Sequence, residues 1–478
     1  MIQGLPRLLY TDHTILSVKD RATHTYVIGQ PGTGKSRALE SWIMQDIASG
    51  HGVGVVDPHG ELFQHLIVHL SKFPKTWERI VIIDPCNPKW VTTFNPLAAI
   101  EGITPERLSL FLTDIVSKIW KLDFAEAPRT MWLLTNSFLA LSNLQMNLLD
   151  LPRFLLDRDF RENLLPRLTH ASARTYFQNE FPRSPAAAHQ WATPVLNKIG
   201  SLIFDPDTSL MLAGEPRFTF QDLLSRQLIL LVNLPKGIIG EGASSLLGAF
   251  IVAHIQKATL ARTNSVFRPP FYLYLDEFQN YTTENITDIL SESRKYSLSL
   301  TLAHQYLDQL SSVMQSAILN TAGSLACFRV GHQDAHQLAK DIFPRPNFLE
   351  RMEDKIKLQR RGLGFSPGYR DQQDLAGWES LTQELSNLSP REFWFRRRGP
   401  TVPARHRTFD MAQPRITPVV TERVDALLET SGRLFSRLKT SVRSQRQENE
   451  SKGFRNQSEK ESEPSQSAAD DAASFWSV

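Results

Sequence analysis

A glycine-punctuated octapeptide, Gly29-Gln30-Pro31-Gly32-Thr33-Gly34-Lys35-Ser36, restricts this chain more than any other stretch. Ahead of it runs Thr25-Tyr26-Val27-Ile28, which reads as a buried strand. Behind it Ala38, Leu39, Trp42, Ile43 and Ile47 recur at helical spacing. Strand, glycine loop and helix in that order form the phosphate-loop arrangement. Small residues let successive main-chain N–H groups converge on phosphate oxygens, and the helix adds the positive end of its dipole. On this reading Gly29 through Arg37 cradle the phosphates, Lys35 reaches the β- and γ-phosphates, and Ser36 helps to hold Mg2+. The ligands expected are ATP and Mg2+.

The loop opens a repeating pattern. Apolar runs at 51–57 and 79–84 bracket a helical stretch at 61–70, so strand and helix alternate as in a parallel α/β sheet. From 104 to 221 the period is helical throughout, punctuated by Pro128, Pro152, Pro166, Pro182, Pro185 and Pro194. Strands resume at 227–234, 271–276, 298–303 and 324–330, with helices at 243–262, from 276 on through Ile289 and Arg294, and at 333–342. Residues 345–410 read as basic strand and turn elements, 421–438 as a last helix, and the Ser-, Glu- and Lys-rich end as a disordered tail. The expected organisation is a RecA-like motor domain in two parts, 1–103 and 222–345. An all-α insertion at 104–221 divides them, and an extension at 346–439 and a tail at 440–478 follow.

Composition excludes some classes. A net charge of +3 announces no polyanionic partner for the whole chain, so a nucleic-acid surface has to be local or line a pore. Two cysteines without ligand spacing fit free thiols in a reducing compartment. No run approaches the roughly 18 apolar residues of a membrane span, and the first residues carry no signal-peptide core; a cytoplasmic protein is expected.

The second chemical element is Phe271-Tyr272-Leu273-Tyr274-Leu275-Asp276-Glu277, an apolar strand ending in two acids. Downstream of a phosphate loop, this is a Walker B pattern: Asp276 on the Mg2+ shell, Glu277 polarising the attacking water. Gln305 follows the next apolar strand, where a neutral amide can both donate to and accept from a γ-phosphate or a water. Charge on a transferred phosphoryl group calls for arginines. Arg294 is a candidate for reaching a neighbouring subunit's nucleotide, and Arg329, within an apolar run, calls for an anionic partner or an interface.

With these residues in place the chain resembles the HerA/FtsK-like DNA-pumping ATPases, and among them the soluble conjugative and type IV secretion coupling proteins of the TraG/TraD-like, TraM-recognition type. The resemblance rests on Val27 to Ser36, Val56-Asp57-Pro58-His59-Gly60-Glu61-Leu62, Phe94-Asn95-Pro96-Leu97, Val232-Asn233-Leu234-Pro235-Lys236-Gly237, Asp276 to Asn280, Ala303-His304-Gln305 and Phe328-Arg329-Val330-Gly331, in that order. It implies a hexameric RecA-like motor threading DNA, with Gln305 as sensor and Arg294 as a finger acting on the next subunit. It leaves Asp57 and His59 structural or near the nucleotide. A relaxase, nuclease or secretion channel is the implied partner. Neither the transmembrane helices of anchored coupling proteins nor the β-barrel of HerA is read here, which suits a freestanding mobile-element motor.

A motor of this kind holds phosphates without reading sequence. Lys236 beside Gly237 and Gly240, and Arg360-Arg361, are the candidate DNA contacts. Arg396-Arg397-Arg398 beside Phe393, Trp394 and Phe395 fits either a stacking grip or an alternating strand of the core. Two other readings stay open: a motor acting on protein, and an ATP-binding scaffold that recruits an effector.

Overall fold

Side chains alternate across a strand, so a strand buried on both faces reads as continuously apolar. Thr25–Ile28 (β1) behaves in this way: Tyr26 and Ile28 join one apolar cluster and Val27 joins another on the opposite face. A computed structural model describes Asp20 and residues 22–448, apart from 101, 123–124, 126, 265–267, 282–289, 291, 345–373, 400–401, 410 and 412–414. The remaining strands are β2 (Gly52–Asp57), β3 (Ile80–Ile83), β4 (Trp90–Val91), β5 (Ile229–Asn233), β6 (Phe271–Leu275), β7 (Leu298–His304), β8 (Ser324–Cys327), β9 (Glu392–Arg397), β10 (Ala404–Arg407) and β11 (Arg437–Leu438). Nine of them form one sheet in the order β10-β9-β8-β1-β7-β6-β2-β5-β3. From β8 to β3 every pairing is parallel, while β9 and β10 add on antiparallel. The chain is a mainly parallel α/β fold, as the alternating pattern requires.

Helices α1 (Lys35–Ala48) and α2 (Glu61–Leu70) cover one face of the sheet, burying Leu39, Trp42, Ile43, Leu62, Leu66 and Ile67. Helix α6 (Glu241–Leu260) lies on the other face, and with it the helices that lie between β4 and β5. The longer of these are α3 (Pro105–Ile119), α4 (Pro128–Asn143) and α5 (Pro185–Ile203). They share one continuous apolar core with the sheet: Leu112, Phe138 and Ile199 belong to the same cluster as Val81, Ile83 and Phe250. His254 of α6 ties this layer to the Phe94–Leu97 turn through the carbonyl of Pro96, at 2.9 Å.

Two expectations change, and one open alternative is decided. Residues 345–410 were expected as strands and turns, but Asp374–Ser386 (α8) is a helix packed on His332–Ile342 (α7), burying Leu381 and Leu385. The basic-aromatic run at 392–397 takes the alternating-strand reading, second from the sheet edge rather than on it; Phe393 and Phe395 face one core and Trp394 the other. Beyond α9 (Pro418–Phe435), residues 439–448 continue as helix where the tail was expected to have begun. Val442 is buried there, and Lys439 donates to the carbonyl of Pro85 and to Asp207 at 2.8 and 2.7 Å. Residues 282–289 of the helix expected after Asp276, Arg360, Arg361 and the end of the tail lie outside the described residues. Cys86 and Cys327 are free thiols. No helix among the described residues is long and apolar enough to cross a membrane.

Gly248 of α6 faces the buried ring of Tyr281, which a Cβ at this position would overlap. Alanine gains about 1 kcal/mol of helix propensity, but overpacking a core costs about 1–3 kcal/mol. Gly248→Ala is therefore expected to lower the thermal midpoint. A midpoint at or above wild type would show that α6 and Tyr281 are not packed this closely.

Candidate active site

Parallel strands put their carboxyl ends on one edge of a sheet, and such an edge is where α/β folds hold ligands. Register makes this concrete here. Ile28 lies beside His304 and Val56 beside Leu275, so the chain leaves the sheet toward Gly29, Asp57, Asp276 and Gln305 along a single edge.

The glycine loop is held by main-chain bonds from its neighbours. Gly29 donates to the carbonyl of His304 at 3.4 Å and Gln30 to that of Arg329 at 2.8 Å. Gly32 and Gly34 have φ of 72° and 109°, values that favour glycine. No side chain caps the start of α1 at Gly34, so its first-turn N–H groups are available to an anion above the loop. Lys35 is buried and folds back on its own loop, donating to the carbonyls of Gly29 and, at 3.3 Å, of Gln30. Burial lowers its ammonium pKa, and the nearby Glu277 and Asp276 act in the opposite sense. Ser36 is exposed on the first turn, while Arg37 turns aside to Glu40 at 2.8 Å. Glu40 in turn meets His69 of α2 at 2.7 Å.

Asp276 is buried, and its carboxyl is pushed up to about 7, first by burial and then by Asp57 and Glu277, with Lys35 opposing. Glu277 sits at φ 46°, a left-handed conformation that is uncommon outside glycine and tends to persist where function demands it. Two amides hold its carboxylate: Gln305 Nε2 at 2.9 Å and Gln279 Nε2 at 2.8 Å. Asp57 accepts the N–H of His59 at 2.8 Å and of Phe63 at 2.9 Å, so it ties down the turn into α2 while remaining close enough to Asp276 to raise its pKa. Beneath Gln305, His304 is buried, bonded to the Tyr26 hydroxyl and held far down at about 3, mainly by burial, so it is a neutral support.

Three buried carboxylates therefore share one buried ammonium, an excess of negative charge that fits a divalent cation. Among the described residues no three acidic, cysteine or histidine side chains form a ready metal cage. Mg2+ takes one or two protein ligands and completes its shell with water and phosphate oxygens. Asp276 and Ser36 are the residues that could supply such ligands.

The structure brings Lys35, Asp276, Glu277 and Gln305 to one edge and keeps Arg294 away from it. Arg294 is exposed on the turn Ser293–Tyr296 that enters β7, beside His24 at the amino-terminal end of β1. Arg329 is half-buried just past β8, and its carbonyl holds the glycine loop. Lys236 opens the short helix Lys236–Ile239 after β5, its N–H bonded to the carbonyl of Pro58 at 3.1 Å. An open cleft of 520 Å3 adjoins the loop, lined among others by Gln30, Pro31, Gln305, Tyr306, His332 and Gln333. Sequence reasoning missed Gln279, whose only signal was its place two residues after Glu277. It also missed the approach of Arg391 to the loop, which left no local signal at all.

Comparisons with known proteins bear on the fold. Residues 270–342, which carry β6, β7, β8 and α7, match the family model described as the TraM recognition site of TraD and TraG. The fold matches a solved structure of the bacterial conjugative coupling protein TrwBdeltaN70, with TM-score 0.59 and 17% identity over 84% of this chain and 88% of that one. It also matches plasmid coupling protein TrwB in complex with ADP and Mg2+, with TM-score 0.59 and 18% identity over 83% and 87%. A third match is TrwB with the non-hydrolysable GTP analogue GDPNP, with TM-score 0.56 and 18% identity over 83% and 88%. No curated protein sequence matches this one.

The raised pKa of Asp276 has a measurable consequence. Between its ordinary value of 3.8 and about 7, the folded chain holds a proton that the unfolded chain releases. That stabilising contribution is complete below the ordinary value and is lost as pH rises through 7. In ligand-free protein, Asp276→Asn is therefore expected to raise the thermal midpoint, by more at pH 8 than at pH 5. An unchanged or lower midpoint at pH 8 would contradict the crowded acid site.

Proposed function

For this TraG/TraD-like chain on the fold of a conjugative coupling protein, we propose ATP-driven translocation of DNA by a ring of six copies, serving conjugation or mobile-element transfer. The observation that carries the reading is the Glu277 carboxylate, fixed by Gln305 and Gln279 beside Lys35 and Asp276. A protein that only binds nucleotide has no use for a buried carboxylate aimed in this way.

Each residue then has a task. The N–H groups of residues 32–37 and the Lys35 ammonium bind the β- and γ-phosphates, once Lys35 exchanges its loop carbonyls for phosphate oxygens. Ser36 and Asp276 would hold Mg2+, which would supply charge neutralisation at the phosphates. Glu277 orients the attacking water and draws its proton, and its two amide bonds keep the carboxylate pointed. Gln305 senses the γ-phosphate, since its amide can divide its bonds between Glu277 and a phosphate oxygen. Arg329 acts in its own subunit. Arg294, on the far edge of the sheet, acts only in a neighbour's site, which is one reason to prefer a ring. The helical residues 104–221 serve as an insertion on the motor, and 346–439 as its extension.

DNA would be held by its backbone, with Lys236, Arg360 and Arg361 as contacts, and a relaxase, nuclease or channel protein would be the partner. Binding of this kind weakens steeply with salt. Steady-state ATP hydrolysis, measured with single- and double-stranded DNA across a salt series, is the test. DNA is expected to stimulate turnover, with the stimulation fading as salt rises. Lys35→Ala should abolish nucleotide binding, and Glu277→Gln should lower kcat by about 10²–10⁴-fold while nucleotide remains bound. Turnover indifferent to DNA would favour a motor on protein; nucleotide binding without turnover would favour a scaffold.

A further inference from the structure

The glycine loop is fastened from outside by the C-terminal strand pair, and we propose that this fastening is a latch that sets nucleotide affinity, with Arg391 as its positioning residue. The inference rests on the nucleotide reading above and adds to it a control point in a part of the chain remote from the loop in sequence.

Arg391 stands immediately before β9. Its N–H donates to the carbonyl of Thr33 at 2.7 Å, and its own carbonyl accepts the N–H of Thr408, just past β10, at 2.8 Å. The residue has φ of 71°, a left-handed conformation for an arginine. Such a conformation persists only where its surroundings over-determine it. Its Cα lies 3.0 Å, and its Cγ 3.3 Å, from where a Cβ on Gly34 would be. The glycine that precedes Lys35 is thus what lets the C-terminal segment reach the loop.

Contacts behind the latch reinforce it. Phe393, two residues on, stacks on Phe328 at 4.8 Å between centroids and meets Trp42 of α1 edge-on at 6.3 Å. Phe328 in turn fills the space against which Gly29 packs. Residues 391–393 therefore touch the loop at Gly34, back Gly29 through Phe328, and touch the helix that follows.

Peptide geometry gives the latch its effect. In a trans peptide the C=O and N–H point in opposite directions. Drawing the Thr33 carbonyl toward Arg391 turns the Gly34 N–H the other way, so the latch fixes the facing of a donor that a phosphate loop uses. Whatever the latch contributes to nucleotide affinity, bound nucleotide must return to the latch by linkage.

The test compares two substitutions in the full chain. Proline at 391 can neither adopt φ of 71° nor donate a main-chain N–H, whereas glycine can do both. Arg391→Pro is expected to weaken Mg2+·ADP binding about tenfold, in line with one lost hydrogen bond and a misdirected donor. Arg391→Gly is expected to stay within about twofold of wild type, because its main chain suffices. Amide exchange on the wild-type chain gives a readout that needs no variant to fold: Mg2+·ADP should slow exchange in residues 388–398. Wild-type affinity in a folded Arg391→Pro protein overturns the latch, as does exchange at 388–398 that ignores Mg2+·ADP. A loss in Arg391→Gly equal to that in Arg391→Pro also overturns it, assigning the effect to the side chain. A wild-type chain that binds no Mg2+·ADP overturns the nucleotide reading and the latch together.

Discussion

Crowded charge at the carboxyl edge of the sheet is the constraint on which the rest of the molecule depends. Asp57, Asp276 and Glu277 are buried within electrostatic reach of one another, with the buried Lys35 as their opposing charge among the described residues. A site of this kind lowers stability when it is left without ligand, because uncompensated buried charge is expensive. It persists because the surrounding fold over-determines it. Register places the four residues, Gln279 and Gln305 clamp one carboxylate, and main-chain N–H groups anchor another.

The layers around the sheet divide the work. One face carries α1 and α2, the helices that follow the glycine loop and the Asp57 turn, so these two turns rest on packed apolar cores. The opposite face carries α6 and the helical segment between β4 and β5, which shares that core with the sheet. Movement of those helices would therefore be felt by β6 and β7, the strands that present Asp276 and Gln305. The antiparallel addition of β9 and β10 closes the sheet beyond β8 and brings Arg391 onto the loop. The candidate site, the helical layer and the C-terminal strands are thus mechanically adjacent.

Much of this was legible in the sequence, for a physical reason. Strands buried on both faces are continuous apolar runs, and groups needed at a strand's carboxyl end follow the run directly. The glycine loop, Asp276, Glu277 and Gln305 all announce themselves in this way. Gln279 was less visible because it acts through Glu277 rather than from a strand end. Arg391 was invisible: its contact with Thr33 joins two points more than 350 residues apart, and its left-handed φ is a property of the assembled turn. Helix α8 was lost among basic neighbours because tertiary packing on α7 sustains it. The helix at 439–448 looked too polar to fold, yet Lys439 buries its stem and finds Pro85 and Asp207. Arg294 read as a finger for a neighbouring subunit, and the strand direction that gathers the other residues carries it to the opposite edge.

Linked stability tests the charge argument most directly. Thermal midpoints of the wild-type chain would be measured with ADP alone, with Mg2+ alone, and with both at the same total concentrations. On the proposed function, the two together should raise the midpoint well beyond the sum of their separate effects, as expected for ligands that bind the folded state jointly. Equal stabilisation by ADP with and without Mg2+, or none under any condition, would contradict the assignment of this edge as a metal–nucleotide site.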